Sequence, residues 1–173
     1  MARQVALLRG VNVGGKNTVA MTVVRDVFES IGCEDVSTYI QSGNVLFAGS
    51  GTLSPQRLEE ALHARFALDI SVVVRSADDL RQVVEHNPYA AADLSKVHVA
   101  FLADEPDEER AANLDTVALL PEHVTIRGRD LYLHLPNGMG RAKLPGHLER
   151  RLSIRPTVRN WTTVTKLADL LAA

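Results

Sequence analysis

The sequence predicts an α+β protein built from two tandem ferredoxin-like plaits, with a helix at its C-terminal end. Apolar residues recur at strand and helix spacing in the order β-α-β-β-α-β, and this order occurs twice along the 173 residues. Each half also contains a tight turn between two strand-like segments, which makes neighbouring strands antiparallel. We expect the first half over residues 1–76, a linking helix and loop over 77–96, and the second half with the C-terminal helix over 97–173.

The first half begins with a short apolar strand and a glycine-rich loop. A helix follows, and Gly32 stops it. Ser42-Gly43 predicts a hairpin turn, and Gly49-Ser-Gly51 predicts a flexible loop. Ser54-Pro55 supplies an N-cap and a proline at the first helical position. The predicted elements are strand Gln4–Leu8, helix Met21–Ile31, strands Val36–Gln41 and Asn44–Ala48, helix Pro55–Phe66 and strand Ile70–Val74.

The linking helix opens at Ser76-Ala-Asp-Asp79, which resembles a capping box, and Asn87-Pro88 ends it. In the second half, an acidic first turn after Pro106 suits the positive end of a helix dipole. We expect that helix to reach about Leu114 or Val117. The other predicted elements are strand Val97–Leu102, hairpin strands His123–Arg127 and Leu131–Leu135, helix Pro145–Leu152, strand Thr157–Arg159 and helix Thr162–Leu171.

The composition is that of an ordinary globular protein, with 46% hydrophobic and 23% charged residues. The longest apolar runs are too short to cross a membrane, and the N-terminal segment reads as a strand rather than a signal peptide. Cys33 is the single cysteine, so neither an internal disulfide nor a cysteine metal cluster is expected. We therefore expect a cytoplasmic protein without a membrane partner, a metal site or a cofactor, and the oligomeric state stays open.

Charge is unevenly distributed along the chain. The overall net charge is −2, but residues 51–120 carry a net −7 and residues 121–173 a net +5. A basic C-terminal third suits a phosphate-bearing partner. Solvated surface charge explains the same pattern equally well.

The glycine-rich loop after the first strand matches the pattern G-x-x-x-x-G-K from Gly10 to Lys16. Three features argue against a nucleotide-hydrolysing P-loop. Asn17 stands where Ser or Thr binds Mg²⁺, Thr18-Val-Ala20 intervenes before the helical periodicity begins, and the hairpin predicts an antiparallel sheet. A loop of glycines beside cations can still hold an anion. The simpler alternative is a plain connection that needs glycine only for its backbone conformation.

Four ordered segments of this sequence resemble the signatures of the bacterial domain-of-unknown-function 1697 family. They are Leu7-Leu-Arg-Gly-Val-Asn-Val-Gly-Gly-Lys16, Tyr39-Ile-Gln-Ser-Gly-Asn-Val45, Gly140-Arg-Ala-Lys-Leu144 and Thr157-Val-Arg-Asn-Trp-Thr-Thr-Val-Thr-Lys-Leu167. The resemblance implies a tandem ferredoxin-like fold and no established activity. The third segment has Ala142 where the family pattern usually has Ser, so a hydroxyl role there is not expected.

Our leading hypothesis is a binding module for a phosphate-bearing ligand, either a nucleotide or a nucleic acid. The cations would supply positive charge, and the glycines would allow the backbone to approach the ligand closely. The side-chain amides and the hydroxyl would orient the ligand by hydrogen bonds. The candidate residues are Arg9, Asn12, Gly14, Gly15, Lys16, Gln41, Ser42, Gly43, Asn44, Arg141, Lys143, Arg159, Asn160 and Lys166. One alternative is an enzyme acting on a phosphorylated small molecule, although no general base stands out. Another is a structural or partner-binding protein whose loops only close the fold.

Overall fold

The structure is a computed structural model that describes residues 2–49 and 53–173. Of the predicted Gly49-Ser-Gly51 loop, Gly49 ends a strand and the other two residues lie outside the described residues. The elements are β1 (Ala2–Leu8), α1 (Met21–Ser30), β2 (Glu34–Tyr39), β3 (Asn44–Gly49), α2 (Pro55–Phe66), β4 (Val72–Ser76), α3 (Ala77–Glu85), β5 (Val97–Phe101), α4 (Glu108–Ala112), β6 (His123–Arg127), β7 (Asp130–His134), α5 (Leu144–Leu152), β8 (Thr157–Asn160) and α6 (Trp161–Ala172).

The strands form two four-stranded sheets of the same topology. Their orders are β2-β3-β1-β4 and β6-β7-β5-β8, and every pairing is antiparallel. The prediction of two tandem ferredoxin-like plaits is thus confirmed. Each β-α-β-β-α-β unit is followed by one more helix, because α3 follows β4 and α6 follows β8. The repeated unit is therefore longer than predicted.

The chain divides into two compact units. The first runs to Gln82 and includes Leu167–Ala173, and the second is Val83–Lys166. These limits differ from the predicted ranges, because α3 contributes to both units instead of linking them. Leu80 is buried in the first unit, whereas the Tyr132 hydroxyl donates a 2.8 Å hydrogen bond to the Val83 backbone oxygen in the second. The last residues belong to the first unit, where the Arg3 guanidinium donates to the Leu170 backbone oxygen at 3.1 Å.

The core of the first unit lies between its sheet and helices α1 and α2. Val24 and Phe28 of α1 and Leu58 and Leu62 of α2 are fully buried. Phe28 meets Phe47 of β3 edge-to-face, with ring centroids 5.7 Å apart. The residues of α1 and α2 that pack on the sheet are those whose apolar spacing predicted the buried faces of these helices.

The second unit has an aliphatic core beneath α5, where Leu144, Leu148 and Leu152 are buried at helical spacing. Helix α4 is shorter than predicted and ends at Ala112, not near Leu114 or Val117. The Asp115 carboxylate accepts a 3.0 Å hydrogen bond from the backbone N–H of Val117, which forms a competing local turn. Val117 is 72% exposed, so its side chain gains little burial that would hold a helical turn at this position.

Side chains cap several helices, and the caps predicted at Ser54 and at Ser76-Ala-Asp-Asp79 are present. The Ser54 hydroxyl caps α2, and Asp107 caps α4. At α3 the Ser76 hydroxyl accepts from the Asp79 N–H at 3.0 Å, while the Asp79 carboxylate accepts from the Ser76 N–H at 2.8 Å. The Asn160 side chain caps α6 by accepting from the Thr163 N–H at 2.8 Å. In the described part of the chain, no helix combines the length and apolar character needed to cross a membrane.

Candidate functional site

Two of the four sequence segments meet at one edge of the first sheet. Strand β1 ends there, with Leu7 paired to Asn44 at the start of β3 and Leu8 paired to Val72 at the start of β4. The segment Arg9–Ala20, which we call the glycine loop, leaves this edge. The segment Ile40–Gly43, which we call the β2–β3 turn, lies beside it. Antiparallel pairing therefore brings the first and second segments together.

The tip of the glycine loop is a tight turn from Val13 to Lys16. The Lys16 N–H donates to the Val13 backbone oxygen at 3.1 Å, and Gly14 and Gly15 have φ angles of 59° and 72°. Two successive positive φ angles suit glycine. The N–H groups of Gly14 and Gly15 donate to no acceptor within the described parts of the chain, and all four turn residues are exposed. Within those same parts, the Lys16 side chain also has no polar partner.

Asn12 fixes the position of this tip. Its side-chain Nδ2 donates to the Gln41 backbone oxygen at 2.6 Å, and its Oδ1 accepts from the Val19 N–H at 2.8 Å. Its own N–H donates to the Asn17 oxygen at 3.2 Å. Asn12 therefore joins both ends of the loop to the β2–β3 turn. Both polar atoms of its side chain are already hydrogen-bonded to backbone groups of the protein.

Gly43 packs directly against the glycine loop. A Cβ at this position would lie 2.6 Å from Val11 Cγ2 and 2.9 Å from Leu8 Cβ, and its φ is +90°. Asn44 beside it is fully buried, and its Nδ2 donates to the Tyr39 oxygen at 3.0 Å. The close approach that Gly43 permits is thus between two segments of the protein itself.

The remaining residues of this edge are partly exposed. Arg9 is half-buried and donates its N–H to the Ser71 oxygen at 2.9 Å. Ser42 is half-buried, with its Oγ 3.4 Å from Asn44 Nδ2. Gln41 is exposed and its backbone oxygen accepts from Asn12.

The glycine loop is not built as a P-loop. Its sheet is antiparallel, and α1 starts at Met21, five positions after Lys16. The Asn17 side chain donates to the Gly10 oxygen at 3.3 Å, so it holds the loop where a P-loop hydroxyl would bind Mg²⁺.

The third and fourth segments leave one edge of the second sheet. This is the edge where β5 begins, because Val97 pairs with His134 at the end of β7 and His98 pairs with Asn160 at the end of β8. Arg141 lies in a short 3₁₀ turn before α5 and is exposed, as is the Lys143 side chain. The second unit thus brings these two segments to a common edge.

A side-chain carboxylate of the protein itself already binds the N-terminus of α5. The Glu122 carboxylate accepts from the Lys143 N–H at 3.0 Å and from the Leu144 N–H at 3.1 Å. A carboxylate at this position satisfies N–H groups that a phosphate would otherwise use. The exposed side chains of Arg141 and Lys143 are therefore the groups of this segment that face solvent.

The fourth segment is mostly structural. Arg159 is half-buried in β8, its Nη1 donates to the Val158 oxygen at 3.0 Å, and burial lowers its pKa to about 10. It therefore still carries its charge at neutral pH. Trp161 is buried, Asn160 caps α6, and Lys166 is exposed on α6.

Two features of the edges were not foreseen from the sequence. Ile40 has a φ of +51° and is 50% exposed, and Val13 is 59% exposed. In the second unit, the Nδ1 atom of His98 is buried and has no hydrogen-bond partner in the described ranges, and burial lowers the pKa of this imidazole. A lone Ile before a turn or a lone His in a strand carries no local sequence signal for either property.

The duplicated antiparallel unit and the paired loops at the sheet edges define a tandem ferredoxin-like protein. The chain belongs to the family described as protein of unknown function DUF1697, whose model matches residues 1–132. That range includes the glycine loop and the β2–β3 turn but ends before the third and fourth segments.

A solved structure supports the same fold over the whole chain. The chain is similar to the conserved bacterial protein SP0830 from Streptococcus pneumoniae, with 26% identity, a TM-score of 0.71 and 98% of each chain covered. No curated protein matches this chain.

Proposed function

We propose that the protein binds a phosphate-bearing ligand, a nucleotide or a nucleic acid, at the edge formed by the glycine loop and the β2–β3 turn. The observation that carries this proposal is the exposed Val13–Lys16 turn. It offers the unpartnered N–H groups of Gly14 and Gly15 beside the ammonium group of Lys16. Backbone N–H groups next to a cation form an anion site.

The turn is held in place before a ligand arrives. Asn12 ties the loop to Gln41 and Val19, and Gly43 packs against Val11. A preorganised loop loses less conformational entropy on binding than a flexible one. Each hydrogen bond to a charged phosphate oxygen contributes about 1.5–3 kcal/mol, so two N–H groups and one ammonium support a specific but modest affinity.

The exposed cations of the second unit supply phosphate contacts of their own in this proposal. Arg141, Lys143 and Lys166 are exposed, and each phosphate that a cation neutralises adds to the salt dependence of binding. A nucleic acid that uses them gives a steeper salt dependence than a mononucleotide.

NMR titration of the ¹⁵N-labelled protein at low salt tests the site. We expect pyrophosphate to shift the amide signals of Gly14, Gly15 and Lys16 in a saturable way. Lys16→Gln should weaken this binding about tenfold, whereas Lys96→Gln, which changes the net charge equally, should leave it unchanged. Absence of saturable shifts at these amides, or equal effects of both variants, would rule out the site.

We also propose that the protein acts in the cytoplasm. Cys33 is the single cysteine, and it is buried as a free thiol, which suits a reducing compartment. Fractionation of cells producing the protein should recover it with cytoplasmic markers, and recovery in a membrane or secreted fraction would contradict this assignment.

A further inference from the structure

Ile40 is held in a backbone conformation that isoleucine avoids. Its φ of +51° lies in the left-handed region, where a β-branched side chain crowds the following carbonyl. Its side chain is 50% exposed, so burial of apolar surface offsets only part of this strain. A glycine would adopt the same φ without strain. The fold of the turn therefore does not require a branched apolar side chain here.

An exposed apolar residue stands next to each partner of the Asn12–Gln41 hydrogen bond. Val13 follows Asn12, Ile40 precedes Gln41, and Val13 is 59% exposed. The 2.6 Å hydrogen bond from Asn12 to Gln41 therefore places the Val13 and Ile40 positions on two adjoining segments of the edge. Strained residues that are held by their surroundings concentrate at ligand sites.

Polar groups follow each of these two apolar residues along the chain. On the Val13 side lie the N–H groups of Gly14 and Gly15 and the Lys16 ammonium. On the Ile40 side lies the exposed side-chain amide of Gln41, which can donate and accept hydrogen bonds at once. The edge of the sheet therefore offers three kinds of group in turn. They are donors for an anion, apolar side chains for a flat ring, and an amide for the polar atoms of that ring.

We infer that the ligand is a phosphorylated nucleoside whose base lies on Ile40 and Val13. The phosphate contacts the Gly14–Lys16 turn, the ring face covers the two apolar side chains, and the Gln41 amide reads the polar edge of the base. This inference rests on the proposed function and adds which residues contact the base. Inorganic phosphate and sugar phosphates lack the planar apolar face. Two half-exposed side chains are matched in size to one ring rather than to an acyl chain.

Calorimetry with Ile40→Gly tests the inference. In the unaltered protein we expect adenosine 5′-phosphate to bind more tightly than pyrophosphate or ribose 5-phosphate. Ile40→Gly should weaken the nucleotide about fivefold to tenfold and leave pyrophosphate binding unchanged. The same variant should melt at a higher temperature, because glycine relieves the strain. Gain of stability with loss of nucleotide affinity is a combination that a merely structural role for Ile40 does not produce.

Ala67→Gly is the matched control. Ala67 ends α2 with a φ of +55°, so this substitution also relieves a left-handed backbone, but Ala67 belongs neither to the glycine loop nor to the β2–β3 turn. It should leave the affinities for all three probes unchanged. A loss of nucleotide affinity equal to that of Ile40→Gly would assign the effect to general stability and would overturn the inference.

The outcomes separate this inference from the proposed function. If pyrophosphate and the nucleotide bind equally and Ile40→Gly alters neither, the phosphate site stands and the nucleoside assignment is wrong. If no probe binds and a short single-stranded RNA also fails, the proposed function itself is wrong. If the RNA binds more tightly than the mononucleotide and Ile40→Gly weakens it, the nucleoside phosphate belongs to a nucleic acid, and the inference holds.

Discussion

The side-chain Nδ2 of Asn12 lies 2.6 Å from the backbone oxygen of Gln41, across 29 positions of sequence. This hydrogen bond joins the glycine loop to the β2–β3 turn. The Oδ1 atom of the same side chain accepts from Val19 at the far end of the loop. One asparagine thereby determines where Lys16 and the two glycine N–H groups stand relative to Ile40.

Asn12→Gly should destabilise the protein although it keeps the backbone conformation. Asn12 has a φ of +56°, which glycine adopts freely, so the substitution removes only the two side-chain hydrogen bonds. We expect a loss of about 1–3 kcal/mol in the unfolding free energy, measured by urea denaturation. Asn17→Gly is the control. Asn17 also has positive φ, but its side chain makes one long bond of 3.3 Å, and we expect a change within about 0.5 kcal/mol. Similar losses in both variants would contradict this role of Asn12.

Gly43→Ala should be more damaging than Gly14→Ala. At Gly43 the new methyl group would meet Val11 Cγ2 at 2.6 Å in addition to adopting an unfavourable φ. We expect a loss of about 2–4 kcal/mol from strain and overpacking together. At Gly14 no atom lies within 4 Å of the Cβ position, so only the backbone strain of about 1 kcal/mol applies. Thermal denaturation of both variants checks the order, and equal melting temperatures would disprove the contact between the two segments.

Ser76→Ala and Asn160→Ala should each lower the unfolding free energy by about 1 kcal/mol. Both residues accept a hydrogen bond from a first-turn N–H, Ser76 at the start of α3 and Asn160 at the start of α6. Asn160→Asp retains the acceptor and should preserve stability. Urea denaturation of the three variants provides the comparison, and a destabilised Asn160→Asp variant would show that the amide group has another role.

Tyr132→Phe should change how stability depends on alkaline pH. Burial raises the pKa of Tyr132 from 10 to about 12, and its O–H donates to Val83. A group whose pKa is raised on folding contributes its full stabilisation below the unfolded value of 10 and loses it as the pH rises toward 12. We expect Tyr132→Phe to be about 1 kcal/mol less stable at pH 8. This difference should shrink between pH 10 and 12 in denaturation experiments. A difference that grows over that window would contradict the sign of the shift.

Local signals in the sequence were sufficient for most of the fold. Ser54 and Ser76 were identified as caps from residue type and position, and each side chain accepts the expected N–H. The order of strands and helices followed from apolar spacing. The end of α4 was misplaced because the Asp115 side chain competes with the helix for the Val117 N–H, and apolar spacing alone does not weigh that competition.

The candidate site was only partly accessible to sequence reasoning. Glycines and cations indicated the glycine loop. The contact of Gly43 with Val11 depends on strands that pair although they are distant in sequence. The hydrogen bond from Asn12 to Gln41 depends on the same pairing. The capture of the α5 N-terminus by Glu122, 21 positions before Lys143, is likewise a tertiary contact without a local signature. The strain at Ile40 is a backbone property that residue identity does not reveal.

The hydrogen bond from Arg3 to Leu170 has a consequence for biosynthesis. These residues are 167 positions apart, so β1 gains this partner only after the residues of α6 have been synthesised. Contacts of such long range slow folding and leave early segments dependent on late ones. A nascent chain stalled before α6 should therefore be more sensitive to protease in its N-terminal strand than the released protein.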